Sequence, residues 1–189
     1  MEYVTIPSLW LPILLSSVIV FVASFIIWAV VQLHKKDWGK LPNEDAFRSA
    51  FKGASVPEGQ YMVPHCADQK DMATDEMKAK IKEGPVVFLV VRPNALPNMG
   101  QMLSCWFVYC LAVGASVAYL TGRCVAPGTA YLAVFRITGT VAFLAYSMAL
   151  FPQAIWFGRT WSSIWKEVFD GFVYALLTAG TFAWLWPEA

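Results

Sequence analysis

Three side chains with metal-binding or nucleophilic chemistry lie in one short polar run: Met62, His65 and Cys66. Thioether, imidazole and thiolate together suit copper(I), and imidazole with thiolate suits zinc. A cysteine beside a histidine can also form a nucleophilic pair. However, one short run supplies few ligands, and adjacent side chains of an extended segment point apart. We therefore predict no metal or cofactor, and keep His65 and Cys66 as candidate binding residues.

Arg136 is the second candidate, because it interrupts an otherwise apolar stretch that begins near Tyr131. A charge inside a membrane is costly and often functional. At a rise of about 1.5 Å per residue, Arg136 lies only about 8 Å inside the stretch, and a long side chain can reach the interface from there. Thr140 follows one helical turn later on the same face. Two interpretations are open: a snorkelling or paired arginine, or a ligand- or ion-binding site with Thr140.

Other sites of known chemistry have no signature in this chain. The sequence contains no phosphate-binding loop, dinucleotide fingerprint, HExxH or GxSxG motif. The four cysteines form no CxxC, so we expect free thiols. No histidine lies in a long apolar segment, which argues against haem. A net charge of +1 gives no overall attraction for nucleic acid. These patterns favour a protein that is not an enzyme.

Four apolar segments would have to position these residues, at 10–33, 102–120, 131–151 and 168–186. The first would form a helix roughly 36 Å long, enough to cross a hydrocarbon layer of ~30 Å. It is preceded by no basic residue and followed by no cleavage signal, so we expect it to be retained. The sequence therefore predicts an all-α membrane protein with four transmembrane helices.

The basic residues near the segment ends predict an orientation. Those on the side of the long polar insert are Lys35, Lys36, Lys40, Arg92, Arg159 and Lys166, whereas the other side has Arg123. Because cytoplasmic loops are enriched in Lys and Arg, we predict that the insert is cytoplasmic and that both termini face outward. The expected setting is a plasma membrane crossed several times.

The insert at 34–101 separates an N-terminal part, 1–33, from the remaining helices, 102–189. Asn43 can cap a helix that reaches Lys52, and Thr74 can cap a second helix that stops at Gly84. The β-favouring run 86–91 is too short to span a membrane and can pair with 60–63. We predict a small α+β domain between helices 1 and 2, too small for a secure core of its own.

Asp170 is a tempting charge partner for Arg136, but the four-span topology separates the two by roughly 20 Å. We expect Asp170 to meet Lys166, Arg159 or the insert instead. Small residues also recur at helical spacing in the apolar segments. Such rows allow close helix packing, within one chain or between subunits.

Several phrases of the sequence resemble a group of bacterial inner-membrane proteins that have no established function. They are PSLWLPIL at 7–14, HKKDW at 34–38, LP at 41–42, GQYM at 59–62, PHC at 64–66 and LLTAGTF at 176–182. The resemblance covers most of the chain. It implies a bacterial plasma-membrane setting, assigns no activity and carries over no functional residue.

These observations predict an accessory or scaffold subunit of a membrane complex, with the lipid bilayer and either a second copy or another membrane protein as partners. The alternative is a small oligomeric transporter or channel that uses Arg136 and Thr140. A third possibility is an enzyme at the membrane surface that uses His65 and Cys66.

Overall fold

The computed structural model describes residues 4–188. It is 68% helical and contains a small two-stranded sheet. The chain divides into two compact units, one formed by 4–38 with 97–188 and the other by Gly39–Leu96. Met1–Tyr3 and Ala189 lie outside the described residues, and the predicted outward position of the two terminal residues falls there.

The helices and strands follow in chain order. They are α1 (Trp10–Phe25), α2 (Glu44–Gly53), β1 (Gly59–Val63), α3 (Gln69–Met72), α4 (Asp75–Glu83), β2 (Val87–Val91), α5 (Met99–Cys124), α6 (Tyr131–Ser147), α7 (Phe151–Phe157) and α8 (Trp161–Trp184). A 3₁₀ turn, Ile6–Leu9, precedes α1, and a π-helical segment, Ile26–Val31, continues it. A second 3₁₀ turn, Met148–Leu150, joins α6 to α7.

Three helical stretches within the described residues are long and apolar enough to cross a membrane: Ile6–Val31, Met99–Cys124 and Tyr131–Phe157. These three are candidate membrane-spanning helices by length and composition, in agreement with three of the predicted segments. The predicted count of four is not confirmed, since α8 does not reach the same apolar standard. Its first half carries Lys166, Glu167 and Asp170, and these charges lower its average hydropathy.

The four long helices form a closed arrangement in which α1 contacts α5 and α8, and α6 also contacts α5 and α8. The backbone N–H of Val4 donates to the carbonyl of Gly122, which brings the start of the first span to the end of α5. A Cβ on Gly139 would lie 3.1 Å from the Cβ of Ala179. These contacts bring the first span against α5 and bring α6 against α8 with close backbone approach.

The bundle interior combines apolar and small polar side chains. Val117, Val134 and Phe182 are fully buried at its centre. Trp106 of α5 donates its indole N–H to the hydroxyl of Ser24 at 2.9 Å, which links α5 to α1. Side-chain hydrogen bonds between helices add to van der Waals packing where lipid supplies no hydrophobic drive.

The unit Gly39–Leu96 confirms the predicted strand pairing. The strands β1 and β2 are antiparallel, with Gln60 opposite Val90. The Thr74 hydroxyl accepts from the Met77 N–H at 3.3 Å, so Thr74 caps α4 as expected. The helix after Asn43 is also confirmed, but the predicted side-chain cap is wrong. Asn43 has a φ of 54° and makes no side-chain cap hydrogen bond, whereas a capping side chain reaches the helix from the β region.

Candidate functional site

The end of the first span turns the chain back toward the bundle. The π-helical segment Ile26–Val31 stops at Gln32, which adopts a left-handed conformation with a φ of 56°. Two turn hydrogen bonds follow, from the Lys35 N–H to the Gln32 carbonyl and from the Asp37 N–H to the His34 carbonyl. This turn directs His34 inward, and His34 is only 5% exposed. Because the chain turns back here, residues 34–38 belong to the unit formed by 4–38 with 97–188, which we call the helical unit.

His34 lies between two carboxylates. Its Nδ1 is 2.8 Å from Oδ2 of Asp37, three residues later. Its Nε2 is 2.9 Å from Oδ2 of Asp170 in α8. All three side chains are less than a tenth exposed. The imidazole therefore joins the end of the first span to α8 through two short polar contacts.

Lys166 closes the cluster on its more accessible side. Its ammonium group forms an ion pair with Asp37, and its side chain is 29% exposed. This ion pair, with a smaller contribution from His34, lowers the pKa of the Asp37 carboxyl. Nearby, Arg159 pairs with Glu167, and that hydrogen bond raises the pKa of the Arg159 guanidinium. We call His34, Asp37, Lys166 and Asp170 the buried charge cluster.

The Trp28 ring covers His34, with ring centroids 4.0 Å apart and an interplanar angle of 11°. The same indole lies close to the Asp170 carboxylate and to the Tyr174 hydroxyl. The cluster is therefore covered by the aromatic ring of Trp28.

The lowered pKa of Asp37 predicts how acid affects the fold. A carboxyl whose pKa is lower in the folded state than in the unfolded state stabilises the folded state at pH values above its unfolded pKa. This contribution is lost as the pH falls through the folded pKa. The ordinary pKa of an aspartate carboxyl is 3.8. Acidification from about pH 7 to about pH 3 should therefore lower the free energy of unfolding of the native protein by more than it lowers that of the Asp37→Asn variant. Unfolding in detergent measures both losses. Equal losses in both proteins would contradict this assignment.

The structure does not bring Arg136 and Thr140 to this cluster. Both residues are exposed on α6, and the Thr140 hydroxyl donates to the Arg136 carbonyl at 2.7 Å. Gly139 lies against Ala179 and Gly171 lies against Ser147. This antiparallel packing places Arg136 far along the bundle from Asp170, which confirms that the two are not partners.

We predicted that Asp170 meets Lys166, Arg159 or the insert, and the last of these alternatives is confirmed. Asp170 contacts His34, the first residue of the insert as the sequence delimited it. Lys166 pairs with Asp37 and Arg159 pairs with Glu167. Lys166 lies one helical turn before Asp170 on α8, and its side chain extends to the turn that contains Asp37.

His65 and Cys66 lie in the other unit, away from any cluster of similar chemistry. His65 is exposed and Cys66 is half-buried. The Cys66 thiol donates to the Asp68 carbonyl at 2.9 Å. Within residues 4–188, no three His, Cys, Asp or Glu side chains come together as a metal site would require.

Sequence reasoning missed His34 as a site residue because Lys35 and Lys36 follow it directly. A histidine followed directly by two lysines is typical of a basic anchor at a membrane surface. Two signals could have identified it: Asp37 follows three residues later, and Asp170 is an acidic residue in an apolar segment that needs a partner.

Comparison of the chain with protein-family models, with curated proteins and with solved structures finds no match. The buried charge cluster is therefore interpreted from its own geometry. An imidazole between two carboxylates can bind a proton or hold two chain segments together.

Proposed function

We propose that this protein is an accessory or scaffold subunit of a complex in the bacterial inner membrane, and that the unit Gly39–Leu96 binds a partner protein. One observation supports this most directly. Within Gly39–Leu96, all of which the structure describes, no residue is buried. The unit nevertheless has three helices and a paired sheet. A folded unit without a core gains stability by packing against something else.

Exposed apolar side chains in this unit supply a surface for such a partner. Leu96 is 95% exposed and Val90 on β2 is 70% exposed. Phe47 and Phe51 stack on one face of α2 with ring centroids 4.4 Å apart. A two-stranded sheet is marginal by itself in water. Apolar groups at these positions suit a protein interface better than solvent.

We further propose that α8 is the fourth membrane helix, and that its charges are tolerated because they are paired. Near its start, Asp170 meets His34 and Lys166 meets Asp37. Beyond its other end, Trp186 donates to the Ala126 carbonyl at 3.0 Å. These contacts support a helix that extends between the two ends of the bundle.

The partner proposal predicts the behaviour of a double variant, Val90→Ser with Leu96→Ser. Burial of one large aliphatic side chain contributes about 1.5–3 kcal/mol, so loss of two should weaken partner binding by tenfold or more. The measurement is co-purification of the tagged protein from native membranes in mild detergent, with the mass of the complex determined by light scattering.

Gln60→Ser is the matched control, because Gln60 lies directly opposite Val90 on β1. This variant should retain the partner. A native protein that purifies as a clean monomer would overturn the proposal, as would a double variant with undiminished binding. The mass also separates self-association from binding of a different protein.

The proposed orientation can be tested by thiol labelling of single-cysteine proteins. Cys124 is exposed at the end of α5, and Cys66 is half-buried in the unit Gly39–Leu96. With the other cysteines replaced by alanine, an impermeant reagent should label Cys124 in intact cells and label Cys66 only after the membrane is opened. The reverse labelling pattern would invert the orientation.

A further inference from the structure

We infer that His34, Asp37 and Asp170 form a proton-binding site, in which a proton between His34 and Asp170 fastens the end of the first span to α8. All three residues belong to the helical unit, and the proposed partner does not contact them. The ligand of this buried site is a proton, and the proposed accessory role does not require it.

The number of hydrogen-bond donors between His34 and the two carboxylates supports a bound proton. A neutral imidazole has one N–H donor and one acceptor nitrogen, whereas ionised carboxylates only accept. Both His34 nitrogens lie within 2.9 Å of a carboxylate oxygen. Between two ionised carboxylates, a neutral ring would therefore direct a lone pair at one of them. Hydrogen on both nitrogens satisfies both contacts as charge-assisted hydrogen bonds.

The charge balance agrees with the donor count. With a proton on each ring nitrogen, His34 and Lys166 carry two positive charges that balance Asp37 and Asp170. Arg159 and Glu167 neutralise each other beside the cluster, and Tyr174 adds an uncharged hydroxyl. Burial of a charge is tolerated when it is paired and hydrogen-bonded. Removal of the proton would leave a net negative charge between two packed segments.

The position of the site gives the proton a structural consequence. His34 and Asp37 lie in the turn that connects the first span to Gly39, where the second unit begins. Trp28, immediately before this turn, stacks on the same imidazole. When the proton is bound, the turn is held to α8 by His34. When it is lost, the ion pair of Asp37 with Lys166 still holds the turn to α8.

The chain contains two histidines, so nuclear magnetic resonance of ¹⁵N-histidine-labelled protein in detergent can observe the site directly. His65→Gln identifies which signal belongs to His34. We expect His34 to carry hydrogen on both nitrogens in the native protein at neutral pH. In Asp170→Asn, His34 should carry a single hydrogen at the same pH, on the Nδ1 that faces Asp37.

Either of two results would overturn the inference: a singly protonated His34 in the native protein at neutral pH, or a doubly protonated His34 that persists in Asp170→Asn. Circular dichroism verifies the fold of each variant. If Asp170→Asn does not fold, Asp37→Asn replaces it, because Asp37 lies outside α8 and its loss leaves the contact with Asp170 in place. The hydrogen that faces Asp170 should then remain on Nε2, and its absence would equally contradict the proposal.

Discussion

Replacement of Asp170 with alanine is expected to destabilise the helical unit by about 1–3 kcal/mol, because the change leaves the buried Nε2 of His34 without its hydrogen-bond partner. Asp170 and His34 are both almost fully buried and 2.9 Å apart. Loss of one member of such a pair costs far more than loss of both. The measurement is unfolding by sodium dodecyl sulfate in mixed micelles, followed by circular dichroism.

Two variants accompany this experiment. Asp75→Ala removes an exposed aspartate that pairs with Lys78, and it should leave stability unchanged, since exposed ion pairs contribute little. The double variant His34→Leu with Asp170→Leu should recover much of the loss, because an apolar pair can replace a buried ion pair. A cost below about 1 kcal/mol for Asp170→Ala would show that Asp170 has no essential partner.

The second large effect is expected from Gly171→Ala, on the face of α8 that packs against α6. A Cβ at this position would collide with the Ser147 hydroxyl and lie 3.3 Å from the backbone carbon of Tyr146. Such overpacking costs about 1–3 kcal/mol. The same unfolding experiment measures the loss.

A double-variant cycle tests the stated cause. The Ser147 hydroxyl is buried with no hydrogen-bond partner among the described residues, so Ser147→Ala should be nearly neutral and should restore part of the stability of Gly171→Ala. Gly180→Ala on the same helix is the control, since its Cβ would meet only the Tyr131 hydroxyl at 3.7 Å. It should be neutral or stabilising, because alanine favours helix over glycine. Additive effects of the two changes would exclude this contact as the cause.

Several local features of the fold followed from the sequence, and the structure explains why. The pairing of β1 with β2 was predictable because the apolar β-favouring run is bounded by prolines at 85 and 93. The cap of α4 was predictable because Thr74 and the acidic first turn lie next to each other in sequence. In contrast, Asn43 was misjudged because its backbone conformation depends on the preceding turn.

The sequence by itself identified the three segments that are apolar enough for a membrane, since that property is a sum over neighbouring residues, but it also included α8, which is not confirmed. It also separated Arg136 from Asp170 through helix length and order. Only the tertiary structure decided that His34 meets Asp170, a pair 136 residues apart. That contact depends on the left-handed turn at Gln32 and on the direction in which α8 presents its carboxylate. Both are set by packing between helices, which local patterns do not encode.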